Sequence, residues 1–382
     1  MKKKILFITG TRADFGKLKS LIRAVQADDN FDYLVFATGM HMLSKYGNTV
    51  VEIQRSGFDN LFMFINQMEG ESMEVILANT ILGLTRYLHE HKVDMIVIHG
   101  DRTEALAGAI TGALRNVLVA HIEGGEISGT IDELIRHATS KLSHIHFVAN
   151  DVAEKRLQQL GEHEKTIFKI GSPDIDVMFS DELPDLNEAK NHYKIHFDEY
   201  ALAMVHPVTT EVDDLYKQTV TFIEAIIKSG RNYIVIYPNN DMGAEHILRA
   251  YKENLENSKH IKLFPSLRFE YFLALLKHAD FIIGNSSAGI FEAPAYGVPT
   301  INLGNRQNNR FNYESILNVN FNRDDIIEAI TNACEIKRFA PCNYYGDGNS
   351  AQKFLSVIKT KELWQISKQK KFKDLQLQQI LC

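Results

Sequence analysis

The chain has 382 residues, of which 45% are hydrophobic, and a formal net charge of −6. That length exceeds one ordinary domain and its apolar content fills two cores. The acidic balance speaks against a nucleic-acid or membrane-surface partner. Three scattered cysteines, Cys334, Cys342 and Cys382, make neither a zinc spacing nor a disulfide framework, which fits a reducing, cytoplasmic setting.

From the N-terminus, basic Met1-Lys2-Lys3-Lys4 precedes an apolar run too short for a signal-peptide core. Strand-like runs follow at 5–9, 33–37, 95–98, 117–122, 145–148 and 167–170, with helical spacing at 18–25, 75–88 and 104–114. Short, continuous, β-branched runs are what parallel strands buried on both faces require. Gly171-Ser172-Pro173 reads as a break, and polar 179–199 as a linker with a surface helix. A second series then runs through 201–205, 233–237, 261–264, 281–283 and 300–303. The rhythm predicts an α/β protein of two Rossmann-like domains, 1–178 and 195–354, followed by a helical tail at 355–382. The lysines at 368–373 in that tail read as a solvated face.

In the first series, strand ends release acids. His99-Gly100 is followed by Asp101 and Arg102, and Gly124-Gly125 is flanked by Glu123 and Glu126. A helical segment then carries Asp132, Glu133, Arg136 and His137. Open α/β sheets build sites beyond their strand carboxyl ends. Clustered carboxylates raise one another's pKa, which yields an acid and a base from similar side chains. The first strand ends in Gly10-Thr11-Arg12-Ala13-Asp14, where Arg12 suits a phosphate. The G-x-G-x-x-G spacing is absent, so no nicotinamide cofactor is expected. The alternative for Arg12 is a helix entry paired to an acid.

In the second series, Gly284-Asn285-Ser286-Ser287-Ala288-Gly289 follows a strand and opens a helix, a place for a diphosphate. Glu292, about a turn and a half into that helix, suits the vicinal hydroxyls of a ribose; the alternative is an ordinary serine cap with a surface glutamate. Other strand ends supply His206, then Asn239, Ser266 and Arg306. None of the fifteen histidines has metal-ligand spacing, so no metal is expected.

Gly-Thr-Arg-Ala-Asp at 10–14, His-Gly-Asp-Arg at 99–102, His-Ile-Glu-Gly-Gly-Glu-Ile-Ser-Gly-Thr at 121–130, Ile-Arg-His at 135–137 and Gly-Asn-Ser-Ser at 284–287 together resemble the UDP-N-acetylglucosamine 2-epimerases. The likeness runs from Lys4 to about Ala351. Non-hydrolysing relatives carry Ala-Gly-Leu-Arg where this chain has Gly124-Gly125-Glu126-Ile127, so the resemblance is to the hydrolysing bacterial branch that forms N-acetylmannosamine for sialic acid. Asp132-Glu133 stands where those relatives have two glutamates. The resemblance implies a glycosyltransferase-B architecture, two domains facing a cleft, with the tail crossing back to the first. It implies that Asp101, Glu123 and Asp132, with His206, carry acid–base catalysis. Arg12, Arg102, His206, Asn239, Ser266, Ser286, Ser287, Glu292 and Arg306 are implied to hold the UDP-sugar. It further implies a homo-oligomer with no cofactor. Three alternatives remain at this stage: an epimerase of a UDP-2,4-diacetamido-trideoxyhexose, a UDP-sugar glycosyltransferase of the same fold, and a non-enzymatic sugar-nucleotide sensor.

Overall fold

The computed structural model describes residues 2–44, 47–128, 131–180, 183–208, 211–238, 243–255, 258–308 and 311–373. Two compact units result. One contains the chain up to Val177 and again from Tyr344 onward; the other is Met178–Asn343.

The first unit is built on a parallel sheet of seven strands: β1 (Lys3–Thr9), β2 (Phe31–Ala37), β3 (Leu61–Met63), β4 (Met95–His99), β5 (Leu118–Ile122), β6 (Ile145–Val148) and β7 (Ile167–Lys169). Their order is β3-β2-β1-β4-β5-β6-β7. The strands β1, β4 and β5 are almost wholly buried, as the continuous apolar runs require. The helix Arg12–Gln26 is capped by the Thr11 side chain and buries Phe15, Leu18, Leu21, Ile22 and Val25. This spacing is an apolar helical stripe facing the sheet.

The second unit repeats the plan with β8 (Ala201–Met204), β9 (Tyr233–Ile236), β10 (Ile261–Phe264), β11 (Ile282–Gly284), β12 (Thr300–Leu303) and β13 (Ile316–Val319), in the order β10-β9-β8-β11-β12-β13. Each sheet reverses its strand order at one point, between β1 and β4 and between β8 and β11. Because neighbouring strands are parallel, the loops after them emerge at one edge, the place where open sheets bind ligands.

Four expectations change. Residues 344–354 belong with the first unit, not the second. Ala351, Phe354 and Ile358 lie in its core, and the Asp176 carboxylate accepts from the Ser350 and Ala351 amides at 2.8 and 2.7 Å, capping the helix Ser350–Ile358. Polar 179–199, expected as a linker with a surface helix, does hold a helix, Leu186–Tyr193, but it belongs to the second unit and packs beside the helix Phe269–His278. Among the described residues of the tail, α-helix runs only to Ile358, where the Trp364 indole donates to the Ile358 carbonyl at 2.8 Å and closes that helix end. Nor are its lysines simply solvated. Lys370 donates to the carbonyls of Lys141 and Ser143 at 2.8 and 2.6 Å and pairs with buried Glu162 at 2.5 Å. Residues 374–382 lie outside the described residues.

Candidate functional site

In the first unit, the loops after β1, β4, β5 and β7 bring a charged cluster to the carboxyl edge of the sheet. Glu123 is its centre. This residue has φ +62°, a left-handed backbone costly for a residue other than glycine. The turn continues through Gly125 at φ +82°, where a Cβ would meet the Ala153 carbonyl oxygen at 2.3 Å.

The Glu123 carboxylate accepts from the Lys17 ammonium and from His99 Nε2, both at 3.0 Å, and from the Ser172 hydroxyl. Lys17 reaches Asp174 at 2.9 Å on its other side. His99 Nδ1 faces Asp14 at 3.7 Å. Asp14 and Lys17 sit three residues apart on the helix Arg12–Gln26 and so share a face.

Burial opposes the Glu123 charge, but Lys17, His99 and Ser172 outweigh it and hold the carboxyl well below its usual range. Burial likewise opposes protonation of His99, yet Glu123 and Asp14 raise it. Lys17 is raised as well, its two carboxylates overcoming burial. Asp174 moves the other way: burial lifts it, and the Glu123 charge adds to the lift against Lys17. Glu126 is lifted by burial and by Glu123, with the Asn150 amide donating to it at 2.9 Å. Behind the cluster, burial pushes His121 down to about 3, so the ring is neutral. Its Nε2 donates to the Gly100 carbonyl at 2.8 Å, which leaves Nδ1 to accept from Ser140 at 3.0 Å.

Asp101 follows β4 and is bound by Arg136, which reaches it from the largely buried side of the helix Ile131–Leu142. Asp132 occupies the exposed first turn of the same helix, and Glu133 beside it accepts from the Ser128 amide at 2.8 Å. Arg102 lies 3.5 Å from buried Glu104. Arg12 pairs with Glu52 at 3.1 Å, both nearly half exposed, which is the acid-paired alternative weighed from the sequence.

In the second unit, Asn285 ties two loops together. Its amide accepts from the His206 backbone at 2.6 Å and donates to the His206 carbonyl at 2.9 Å. Arg306 and Gln307 both donate to the Asn285 carbonyl, at 3.1 and 2.8 Å. Gly284 has φ +134°, and a Cβ there would lie 1.9 Å from the Met204 carbonyl oxygen, so only glycine lets the loop turn so tightly against β8. The expected helix is broken. Ser286 caps a three-residue 3-10 turn, Ser287–Gly289, and Glu292 begins a separate four-residue helix, Glu292–Ala295. Glu292 is therefore not a turn and a half into a continuous helix, and the loop offers no long helix dipole to an anion. Ser266 lies on the exposed loop after β10, and Asn239 lies outside the described residues.

Sequence reasoning passed over His99, Lys17, Ser172 and Asp174 as site residues. His99 stood inside a quoted motif, and Lys17 is one helical turn from Asp14. Ser172 and Asp174 were hidden because Gly171-Ser172-Pro173 reads as punctuation between domains. Among the described residues, no group of three or more histidine, cysteine, aspartate or glutamate side chains is arranged to hold a metal ion, and no helix is long and apolar enough to cross a membrane.

Residues 23–359 match the protein family described as UDP-N-acetylglucosamine 2-epimerase. The chain is 49% identical over 378 residues to a UDP-N-acetylglucosamine 2-epimerase of Neisseria meningitidis, covering 98% of this chain and 100% of that one. It is 33% identical over 364 residues to a UDP-N,N'-diacetylbacillosamine 2-epimerase (hydrolyzing) of Legionella pneumophila, covering 94% and 96%. Its fold is similar to that of the UDP-GlcNAc 2-epimerase structure from Methanocaldococcus jannaschii, with a TM-score of 0.77, 21% identity and coverage of 93% and 99%.

Proposed function

The chain belongs to the UDP-N-acetylglucosamine 2-epimerase family, and from that premise we propose that it is a hydrolysing member, converting UDP-N-acetylglucosamine and water into N-acetylmannosamine and UDP. The observation that carries this reading is the buried cluster around Glu123, whose Gly124-Gly125-Glu126-Ile127 stretch resembles that of the hydrolysing branch. The word "hydrolyzing" in the name of the Legionella relative supports it.

In the proposed reaction a carboxylate of the first unit takes the proton at C2 of the sugar. The C–H electron pair forms the C1–C2 double bond. The C1–O bond breaks, and its pair leaves with the β-phosphate oxygen of UDP. The products of this step are 2-acetamidoglucal and UDP. Water then adds its hydroxyl at C1, and a proton arrives at C2 from the opposite face, giving N-acetylmannosamine. Asp101 and Glu123 carry the proton transfers, with Asp132 as third candidate. Lys17, His99 and Ser172 hold Glu123 well below its usual range against burial, and Arg136 pairs with Asp101. His206, Ser286, Ser287, Glu292 and Arg306 of the second unit hold the nucleotide, and Arg12, Arg102, Asn239 and Ser266 assist. The loop of Asn285, with the Arg306 guanidinium bonded to its carbonyl, is the proposed seat of the diphosphate, where a cation stabilises the charge that develops as the C1–O bond breaks.

Proton NMR of the purified protein with UDP-N-acetylglucosamine in D2O, with no acceptor, tests this. Free N-acetylmannosamine carrying deuterium at C2, with UDP, is the expected product. Accumulation of UDP-N-acetylmannosamine would place the chain in the non-hydrolysing branch. The Legionella name favours a second reading, hydrolysis of a UDP-2,4-diacetamido sugar, and turnover of that substrate alone would establish it.

A further inference from the structure

We propose that Ser172 and Asp174, in the segment where the chain leaves the first unit, are positioning residues that set the orientation and basicity of Glu123. The proposal rests on the assignment of Glu123 to the proposed reaction.

The geometry is a closed circuit. Ser172 Oγ accepts from the Asp174 amide at 3.4 Å and donates its own hydrogen to Glu123 Oε1. The other oxygen of Glu123 takes the Lys17 ammonium at 3.0 Å, and the far side of that ammonium takes Asp174 at 2.9 Å. Lys17 is thus shared between two carboxylates. Ser172 is itself immobilised through its backbone. Its amide donates to the Tyr345 carbonyl at 2.6 Å, and its carbonyl accepts from the Ser350 hydroxyl at 3.0 Å. Four residues on from Ser172, Asp176 caps the helix Ser350–Ile358. The segment around 171–176 is therefore stitched to residues 345–351, and its side chains reach into the cluster from a fixed frame.

The consequence is electrostatic. The groups facing Glu123 are Lys17 from the helix Arg12–Gln26, His99 from β4 with Asp14 behind it, Ser172 and Asp174 from the segment after β7, and Glu126 and His121 from its own loop and strand. Ser172 stabilises the ionised form by donating to it, and so lowers its affinity for a proton. Asp174 draws off part of the Lys17 charge and adds an anion nearby, and so raises that affinity. The two residues oppose each other, and the basicity of Glu123 lies between their pulls.

The test is carbon-13 NMR titration of the Glu123 carboxyl in the full chain, with the resonance assigned by its loss in Glu123→Gln. The pH dependence of kcat/KM for UDP release from UDP-N-acetylglucosamine is measured alongside. Ser172→Ala should move the carboxyl titration to higher pH and Asp174→Asn to lower pH, each by roughly one unit, the scale for a lost hydrogen bond or neighbouring charge. kcat of Asp174→Asn should fall by about tenfold or more with KM within about threefold, the pattern of a residue acting on the chemical step. Shifts in the same direction, or shifts under about 0.3 unit against a one-unit expectation, would overturn the proposal. If the wild type does not turn over UDP-N-acetylglucosamine, the proposed reaction falls while the carboxyl titration still decides the positioning role. Should Asp174→Asn fail to fold, the direction of the Ser172→Ala shift decides alone.

Discussion

Replacing Glu162 by Gln should destabilise the first unit by about 3 kcal/mol at neutral pH, and the size follows from its surroundings. The Glu162 side chain is 2% exposed and takes His146 Nε2 at 3.0 Å, Lys141 at 3.1 Å and Lys370 at 2.5 Å. Burial opposes its charge, but these partners outweigh burial and bring the carboxyl down to about 2. From an unfolded value of 4.5, that difference corresponds to about 3 kcal/mol favouring the ionised folded state. The sign follows from the direction of the shift. A depressed carboxyl contributes fully above its unfolded pKa and loses that contribution as pH falls towards the folded one. Between pH 7 and 3.5 the loss amounts to about 1.4 kcal/mol. Scanning calorimetry of wild type and Glu162→Gln at both pH values checks this. The transition of the first unit should drop by roughly 6–12 °C at pH 7, the scaling for a unit of this size, and by clearly less at pH 3.5. A gap unchanged between the two pH values would refute the charge argument. Lys370 also binds the carbonyls that end the helix Ile131–Leu142, so amide exchange at 140–143 should rise in the variant.

Asp101→Asn and Glu123→Gln should each lower kcat by roughly 10²-fold or more while calorimetry shows UDP affinity retained; loss of UDP binding with normal kcat would reverse the assignment. Glu292→Gln and Arg306→Ala should do the opposite, weakening UDP by about 1–2 kcal/mol with kcat for bound substrate nearly unchanged. Lys17→Met leaves Glu123 and Asp174 without their shared cation, so stability should fall by about 3–5 kcal/mol, with a gap that narrows on acidification as the carboxylates protonate. Gly284→Ala should abolish UDP binding and lower the melting temperature of the second unit, because its Cβ would overlap the Met204 carbonyl; a variant that binds UDP normally would show that the loop can relax.

The sheets were legible because parallel strands buried on both faces leave an unmistakable trace. Eleven runs marked from the sequence are strands, with ends shifted by a residue or two. The two strands missed, β3 and β13, are edge strands with partly exposed residues, LFM in β3 and ILNV in β13, and carry no continuous apolar signal. The motif residues were legible for a different reason, since glycine-terminated strands announce where side chains reach the carboxyl edge. What the sequence hid was partnership. Nothing in the spacing tells that Arg136 binds Asp101, that Lys17 divides itself between Glu123 and Asp174, or that a lysine in a polar tail reaches a buried glutamate. Those pairings depend on which loops the strand order brings together. The helix after Gly284 misled because Ser-Ser-Ala-Gly has the composition of a cap, yet Pro294 stands three residues after Phe291 and the chain tightens into short turns.

Asp101 and Glu123, the two carboxylates proposed to move protons, differ in what their partners can do with one. Arg136, bound to Asp101, stays protonated at any accessible pH, so it fixes the carboxylate and neutralises it but cannot pass a proton on. Glu123 is bonded to an imidazole that is in turn set against Asp14. Histidine gains and loses protons near neutral pH, so a proton lodged on Glu123 has a route onward through His99. The left-handed backbone of Glu123 is the local cost of aiming its carboxylate at His99, Lys17 and Ser172 together. In the proposed reaction one proton must leave the sugar for solvent and another must return to the opposite face. By this reasoning Glu123 suits the transfer whose proton exchanges with water, whereas Asp101, paired with Arg136, has no such route through its partner.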